Sequence, residues 1–187
     1  VYWSVPLKPD HGMSIMTPRK QGNYLFASGI GHVAGLIELS RDQPDAQLVW
    51  QATNTTESVY CANSTPLIEG DTIYGTDCHQ GSLMAVDLKT GARLWSTFAP
   101  TTGDRRAGQG TAFLVKHQDR FFLFSETGDL VIAKLDREGY QEQSRAHLLE
   151  PTGEAFGRQV VWSHPAFANR SVYARNDKEI VCVSLAK

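Results

Sequence analysis

Four times along this 187-residue chain the same local plan recurs, and recurrence at a fixed interval constrains the fold more than any single motif. Each copy opens with a short step into an apolar strand: Met16-Thr17-Pro18, Ser64-Thr65-Pro66, Gly110-Thr111-Ala112 and Ser163-His164-Pro165. A polar turn and an aromatic-bearing strand follow, with Tyr24-Leu25-Phe26, Ile73-Tyr74, Phe121-Phe122-Leu123-Phe124 and Val172-Tyr173. A second turn leads to a third strand ending in Leu39, Leu88, Leu135 or Leu185. The steps from Thr17 to Thr65, Thr111 and His164 are 48, 46 and 53 residues. No helix-period pattern of useful length interrupts this series, because the nearest candidate, Tyr140 to Glu150, runs straight into Pro151.

An interval near 48 residues filled by short antiparallel strands is the plan of a propeller blade, so the chain is expected to be all-β, with about four four-stranded blades. The blades are expected at roughly 13–52, 62–98, 109–148 and 160–187. The fourth, outer strand of each blade carries a tryptophan in the first two copies, Trp50 and Trp95. The stretch from Ala85 to Trp95 is the clearest example: an apolar strand, a Lys89-Thr90-Gly91 turn whose glycine can take positive φ, and a second strand closed by an indole. Arg93 is expected on the exposed face of that second strand. The third copy has Asp136-Arg137-Glu138-Gly139-Tyr140 and no Trp, so docking there must use Tyr140 or be absent. The fourth copy ends after Leu185, before any outer strand, whereas Tyr2-Trp3-Ser4-Val5-Pro6 matches Leu94-Trp95-Ser96-Thr97-Phe98 and reads as an outer strand at 1–7 without its inner three.

The spacing Ala85-x-Asp87-x-x-Thr90-Gly91-x-x-x-Trp95 resembles the tryptophan-docking motif of quinoprotein-type (PQQ-like) β-propeller repeats, and every motif position is met. The resemblance covers Met13 to Lys187 and implies that each such Trp caps the packing of one blade on the next. Propellers of this family form rings of seven or eight blades, which implies that four blades belong to a larger propeller. The complementary ends have two solutions. Either the N-terminal strand completes the last blade and closes the ring, or the chain is part of a longer propeller. Among family members the chain resembles the lipoprotein scaffold of outer-membrane protein assembly, which implies an extracytoplasmic setting.

Net charge excludes one class of partner. With 18 basic and 20 acidic residues the net charge is −2, and Arg105 and Arg106 are the only adjacent arginines, so a nucleic-acid surface is not expected. No apolar run reaches the roughly eighteen residues of a membrane helix. Cys61, Cys78 and Cys182 form no CxxC pair and are odd in number, which suggests buried free thiols rather than zinc ligands or a disulfide framework. The six histidines show neither HxH nor HExxH spacing, so no metal site is expected, and Asp77-Cys78-His79 reads as turn chemistry rather than a catalytic dyad.

Propellers carry function in the loops entering the inner strands, and two connections here hold the unusual residues. Thr101 to Gly110 is polar and glycine-rich, with Arg105 and Arg106 able to fork onto a carboxylate or phosphate and Gln109 beside them as a further candidate contact; its plainer reading is a solvated loop. Pro151 to His164 holds Glu154, Arg158, Trp162 and His164; its plainer reading is a long loop in which Arg158 pairs with Glu154. No catalytic residue is assigned. The family's dehydrogenases imply pyrroloquinoline quinone and calcium, but their vicinal cysteine pair is missing here. The expected function is therefore a non-catalytic module, without cofactor, that binds a protein, peptide or glycan through its loop face and can self-associate through open propeller edges. The alternative is a set of blades from a quinoprotein-like oxidoreductase whose site is completed by missing parts.

Overall fold

In the computed structural model, which describes residues 1–186, every long apolar stretch is a strand and the one helical element is a 3-10 turn at Asp10–Gly12. The first sheet holds β1 (Arg19–Gln21), β2 (Tyr24–Gly29), β3 (Val33–Leu39) and β4 (Ala46–Ala52) in that spatial order. The second holds β5 (Leu67–Glu69), β6 (Thr72–Thr76), β7 (Leu83–Asp87) and β8 (Arg93–Thr97). In the third, β9 (Ala112–His117), β10 (Arg120–Ser125), β11 (Asp129–Leu135) and β12 (Tyr140–His147) follow the same order. A two-stranded hairpin, β13 (Gly153–Ala155) and β14 (Arg158–Val160), precedes a three-stranded sheet of β15 (Ala166–Ala168), β16 (Ser171–Arg175) and β17 (Ile180–Ser184). All pairings are antiparallel meanders, giving an all-β arc of propeller blades; the expected bound of the last blade, Lys187, lies outside the described residues.

The blades stack because their middle strands are apolar on both faces. In β6 and β7, Ile73, Met84 and Val86 turn back into a cluster with Phe26, Ala34 and Leu36 of the first blade. Their neighbours in the pleat, Tyr74, Leu83 and Ala85, turn forward onto Leu114, Phe121, Leu123 and Val131 of the third. Residues 59–62 of the first connection run through the middle of the first cluster, fully buried, and seal it at the loop end. The cluster between the third and fourth blades is smaller, with Phe113, Phe124, Leu149, Val161 and Ala174 as its buried members.

Each complete blade has a bulge at one place, between the third and fourth strands: at Leu36/Ile37, Ala85/Val86 and Ile132/Ala133. It sets the outer-strand register, so Trp50 stands opposite Leu36 and Trp95 opposite Ala85. From there Trp50 donates its indole N–H to the Leu88 carbonyl at 2.9 Å, across the blade boundary, and its ring lies against Gly91. A Cβ at Gly91 would meet that ring at 3.2 Å on a backbone with φ of 73°, which is why the turn carries glycine. Trp95 repeats the contact one blade on, donating to the Asp136 carbonyl at 2.8 Å.

In the third blade the equivalent position, opposite Ile132, is the exposed Ser144. Tyr140 does not replace the indole. It pairs with Leu135 at the start of β12 and packs back toward Trp95 in the second cluster, so the third blade meets the fourth without an outer-strand indole. Arg93 departs from expectation as well. Its register partner is Val86, which puts it on the first-blade side, where Nε donates to the Ser58 carbonyl at 2.7 Å and Nη2 sits 3.6 Å from the fully buried Asp77. Residues 1–9, expected to begin as an outer strand, carry no strand; Leu7 packs over Gly35 and the Asp10 amide donates to the Ile30 carbonyl at 2.8 Å, fixing the segment to the first blade.

Thermal or urea unfolding should rank three substitutions on one strand. Trp95→Ala removes a half-buried indole and should cost about 2 kcal/mol, roughly half the cost of a fully buried aromatic. Arg93→Ala should cost about the same by stranding buried Asp77, while exposed Ser96→Ala should stay within about 0.5 kcal/mol. A Trp95→Ala chain as stable as Ser96→Ala would show that the indole contact contributes nothing.

Candidate functional site

Antiparallel order places the turns between second and third strands at the same end of the arc as the connections between blades. Backbone bonds weave the two sets together: Cys78 N–H to Tyr60, Gln109 N–H to Cys78 and Val161 N–H to Glu126, each at 2.7 Å. The residue that follows each second strand and begins the turn is polar and buried in three blades: Asp77, Glu126 and Asn176, at 0, 2 and 8% exposure. Asp77 accepts the amides of His79 and Gln80 at 3.0 Å, and Asn176 accepts those of Lys178 and Glu179 at 2.8 Å, the expected Asx-turn role.

Glu126 is one methylene longer and reaches across the connection instead. Its carboxylate accepts Arg158 Nε at 2.7 Å and Nη2 at 3.0 Å, the Trp162 indole N–H at 3.0 Å and the Thr111 amide at 3.1 Å. Four donors on one buried carboxylate make a fully satisfied ionic knot. Arg158 does not pair with Glu154, because the hairpin register sets Ala155 opposite Arg158 and Glu154 opposite Gln159, so the two side chains leave opposite faces.

The six residues singled out in the sequence divide among three places. Arg105 and Arg106 are exposed on the connection after the second blade; Arg106 donates to the His79 carbonyl at 3.1 Å, and the Arg105 guanidinium has no protein partner among the described residues. Gln109 takes φ of 59°, its carbonyl accepts Asn63, and its side-chain oxygen is buried without a partner. Arg158 and Trp162 belong to the Glu126 knot. His164 is separate from both: it lines an axial cleft of about 530 Å3 with Thr17, Arg19, Thr65 and Lys116, drawn from the inner ends of different blades.

Of the three cysteines expected as buried free thiols, Cys61 and Cys78 are buried, whereas Cys182 is exposed because it lies on the outward face of the edge strand β17. Cys78 is buried, its thiol pushed up to about 12 by burial and then by the Asp77 carboxylate, and burial pushes Cys61 up as well. The His79 ring stacks on His32 at 4.1 Å, with Tyr60 edge-on to both. Among the described residues no three His, Cys, Asp or Glu side chains converge as metal ligands do.

Two features were not expected. One is the role of Glu126, which follows its aromatic strand at the place Asp77 does, the one signal of it in the sequence. The hairpin of β13 and β14 lacks an Asn-Gly turn; its tip is Phe156-Gly157, both at positive φ (50° and 72°), with Phe156 71% exposed and its ring 6.2 Å from Trp162. Beside it, a cleft of about 270 Å3 is lined by Glu154, Val160, Trp162, Arg175 and Asp177.

Unfolding experiments should separate the two acids near Arg158. Glu126→Ala strands a half-buried guanidinium and two further donors, the Trp162 indole and the Thr111 amide, and should cost about 3 to 5 kcal/mol, whereas Glu154→Ala should stay within about 0.5 kcal/mol. Comparable losses would place the partner of Arg158 at Glu154.

Comparisons with known proteins agree with this architecture. BamB from Moraxella catarrhalis superposes with a TM-score of 0.57 at 17% identity over 90% of this chain and 43% of its own. The quinohemoprotein alcohol dehydrogenase ADHIIG from Pseudomonas putida HK5 does so at 0.55 and 19% identity, over 90% of this chain and 29% of its own. The computationally designed Ika4 protein matches at 0.55 and 10% identity, over 98% of this chain and 100% of its own. These likenesses show the fold, and the chain spans less than half the length of the two natural proteins. No curated protein matches it by sequence. The family model described as outer membrane protein assembly factor BamB matches residues 1–187, and the chain accordingly belongs to that family.

Proposed function

We propose that this chain is a non-catalytic binding scaffold of the cell envelope that engages a protein or peptide through its loop face, with Phe156 as the anchor. The observation that carries this reading is an exposed aromatic at the tip of a braced hairpin. Phe156 stands in water, while Trp162 and Arg158 beneath it are held by the buried Glu126. An aromatic fixed in place before contact loses little conformational entropy on binding, which is the property of interface hot spots. The cleft beside it offers a pocket flanked by Arg175 and Asp177 for a polar or apolar side chain of the partner. A convex tip of this kind suits a protein surface or peptide better than the shallow sugar rings of a glycan. The envelope setting follows the family, whose model is described by outer membrane protein assembly.

The competing reading is a blade set of a quinoprotein oxidoreductase. A planar tricarboxylate cofactor needs cations converging on one cavity. Arg158 is committed to Glu126, and Arg105 and Arg106 lie on a different connection, an arrangement that favours the scaffold.

An array of immobilised peptides tiling bacterial outer-membrane β-strands, read alongside calorimetry with pyrroloquinoline quinone and calcium, tests this. The intact chain should bind a subset of peptides, and Phe156→Ala should weaken them about thirtyfold, the effect of a 2 kcal/mol hot spot, with unchanged thermal stability. Saturable one-to-one quinone binding at micromolar concentration with dye reduction would overturn the reading. Unchanged peptide binding by Phe156→Ala would remove the hairpin from the interface.

A further inference from the structure

The first strands of the blades line the axis, where β1 touches β5 and β5 touches β9. Their entries repeat one position: Thr17, Thr65 and His164 each precede a proline, Pro18, Pro66 and Pro165. A residue before proline is confined to extended backbone, so the chain itself fixes the direction in which that side chain leaves. The third copy is the exception. It has Thr111 before Ala112, and Thr111 is buried, sharing its hydroxyl with Thr76 at 3.2 Å. The other three entries meet in the axial cleft of about 530 Å3. Two of them are joined there: the Thr17 amide donates to the Thr65 hydroxyl at 3.3 Å, which leaves the Thr65 hydroxyl proton free to donate.

Charge sets this cleft apart. Arg19, two residues after Thr17, and Lys116 of β9 share its lining with His164, and no carboxylate does. The chain carries a net charge of −2, and basic groups gathered in one cleft repel, so packing alone gives no reason for the arrangement. Each of the three keeps an atom in hand. The Arg19 guanidinium has no protein partner among the described residues. Lys116 gives one N–H to Glu69 Oε1 at 2.6 Å and holds its others free. His164 Nδ1 lies 2.9 Å from the Pro165 carbonyl, which only accepts, so that nitrogen bears the proton and Nε2 is left for a ligand. The His164 ring is itself seated, 5.0 Å from Phe113. Leu67, Leu114 and Val115 add an apolar wall, whereas no Trp, Tyr or Phe lines the cleft, so a flat aromatic ring has nothing there to stack on.

We infer that the axial cleft binds a small aliphatic anion, a carboxylate or a phosphate ester, with Arg19 as its anchor. The guanidinium fork matches two oxygens of either group, and the Lys116 ammonium and the Thr65 hydroxyl supply further donors. The alkyl part of the ligand rests on Leu67, Leu114 and Val115. A cleft with apolar walls and one sign of charge concentrates such an anion before contact, and its volume falls in the range of small-molecule sites. The site is separate from the Phe156 hairpin, since its residues come from the first strands and their entries. The blades that supply them are consecutive, so a blade added beyond the arc would stand across the axis from the cleft and not between its residues.

Calorimetry of the 187-residue chain at constant ionic strength, with glutarate, butyl phosphate, inorganic phosphate and chloride as probes, tests this. Glutarate or butyl phosphate should bind one to one with a Kd of about 1 mM or tighter, and the two arms tell a carboxylate site from a phosphate site. Inorganic phosphate, which lacks the alkyl part, should bind more weakly than butyl phosphate, and chloride should not compete. Arg19→Gln should weaken binding about tenfold or more, the loss of a charge-assisted pair. Its unfolding midpoint without the anion should stay unchanged, because the guanidinium holds nothing in the protein. Arg105→Gln with Arg106→Gln, on the loop face, should leave binding as it was. No saturable binding of either organic anion, binding abolished by chloride at equal ionic strength, or binding kept in Arg19→Gln and lost with Arg105 and Arg106 would each overturn the inference.

Discussion

A sheet that is apolar on both faces has no stable existence alone, and this is the constraint from which the rest of the molecule follows. Ile73 and Tyr74 are neighbours in sequence and fully or almost fully buried, yet they lie in different cores, one shared with the blade before and one with the blade after. Each blade is therefore half of two interfaces, and stability is passed along the chain between neighbours, as in other repeat architectures. The bulge in the outer strand pair is the local device that makes this work. It rotates Trp50 and Trp95 over the boundary, so that an indole ring covers the apolar seam while its N–H satisfies a carbonyl of the next turn.

The same constraint explains where the structure weakens. At the third boundary Ser144 replaces the indole, and the buried cluster contracts to five residues. What holds the third and fourth blades together is electrostatic to a greater degree: Glu126 of the third blade gathers Arg158 and Trp162 from the connection that leads into the fourth. That knot also fixes the base of the hairpin bearing Phe156. Packing deficit and the proposed binding geometry thus coincide in one place, since a seam without an outer-strand indole has room for a longer connection, and the connection is where a binding element can be mounted.

The blade plan was legible in the chain because it is written in period-two apolarity and in turn residues, both local signals. The second blade, with its Asp87, Thr90, Gly91 and Trp95, was clearest because its turn chemistry and its indole fall at family spacing. What stayed hidden depends on register. Whether Arg93 faces water or Asp77, and whether Tyr140 looks forward or back, turns on the position of one bulge, and a one-residue shift reverses the face of every side chain beyond it. The candidate site was less legible for a related reason. Arg158, Trp162 and His164 are close in sequence, but the buried Glu126, thirty-two residues before Arg158, draws two of them away from the third. A long-range carboxylate leaves no mark on the segment it organises.

Blades here are held by their neighbours, most firmly where an indole crosses the boundary. Native-state hydrogen exchange on the 187-residue chain, in which β17 pairs only with β16, measures this most directly. The amides of β16 and β17 should open as a unit with a free energy about 2 kcal/mol or more below that of β6 and β7, which are flanked by indole contacts on both sides. Equal protection across β6, β7, β16 and β17, opening only with the whole molecule, would contradict the account.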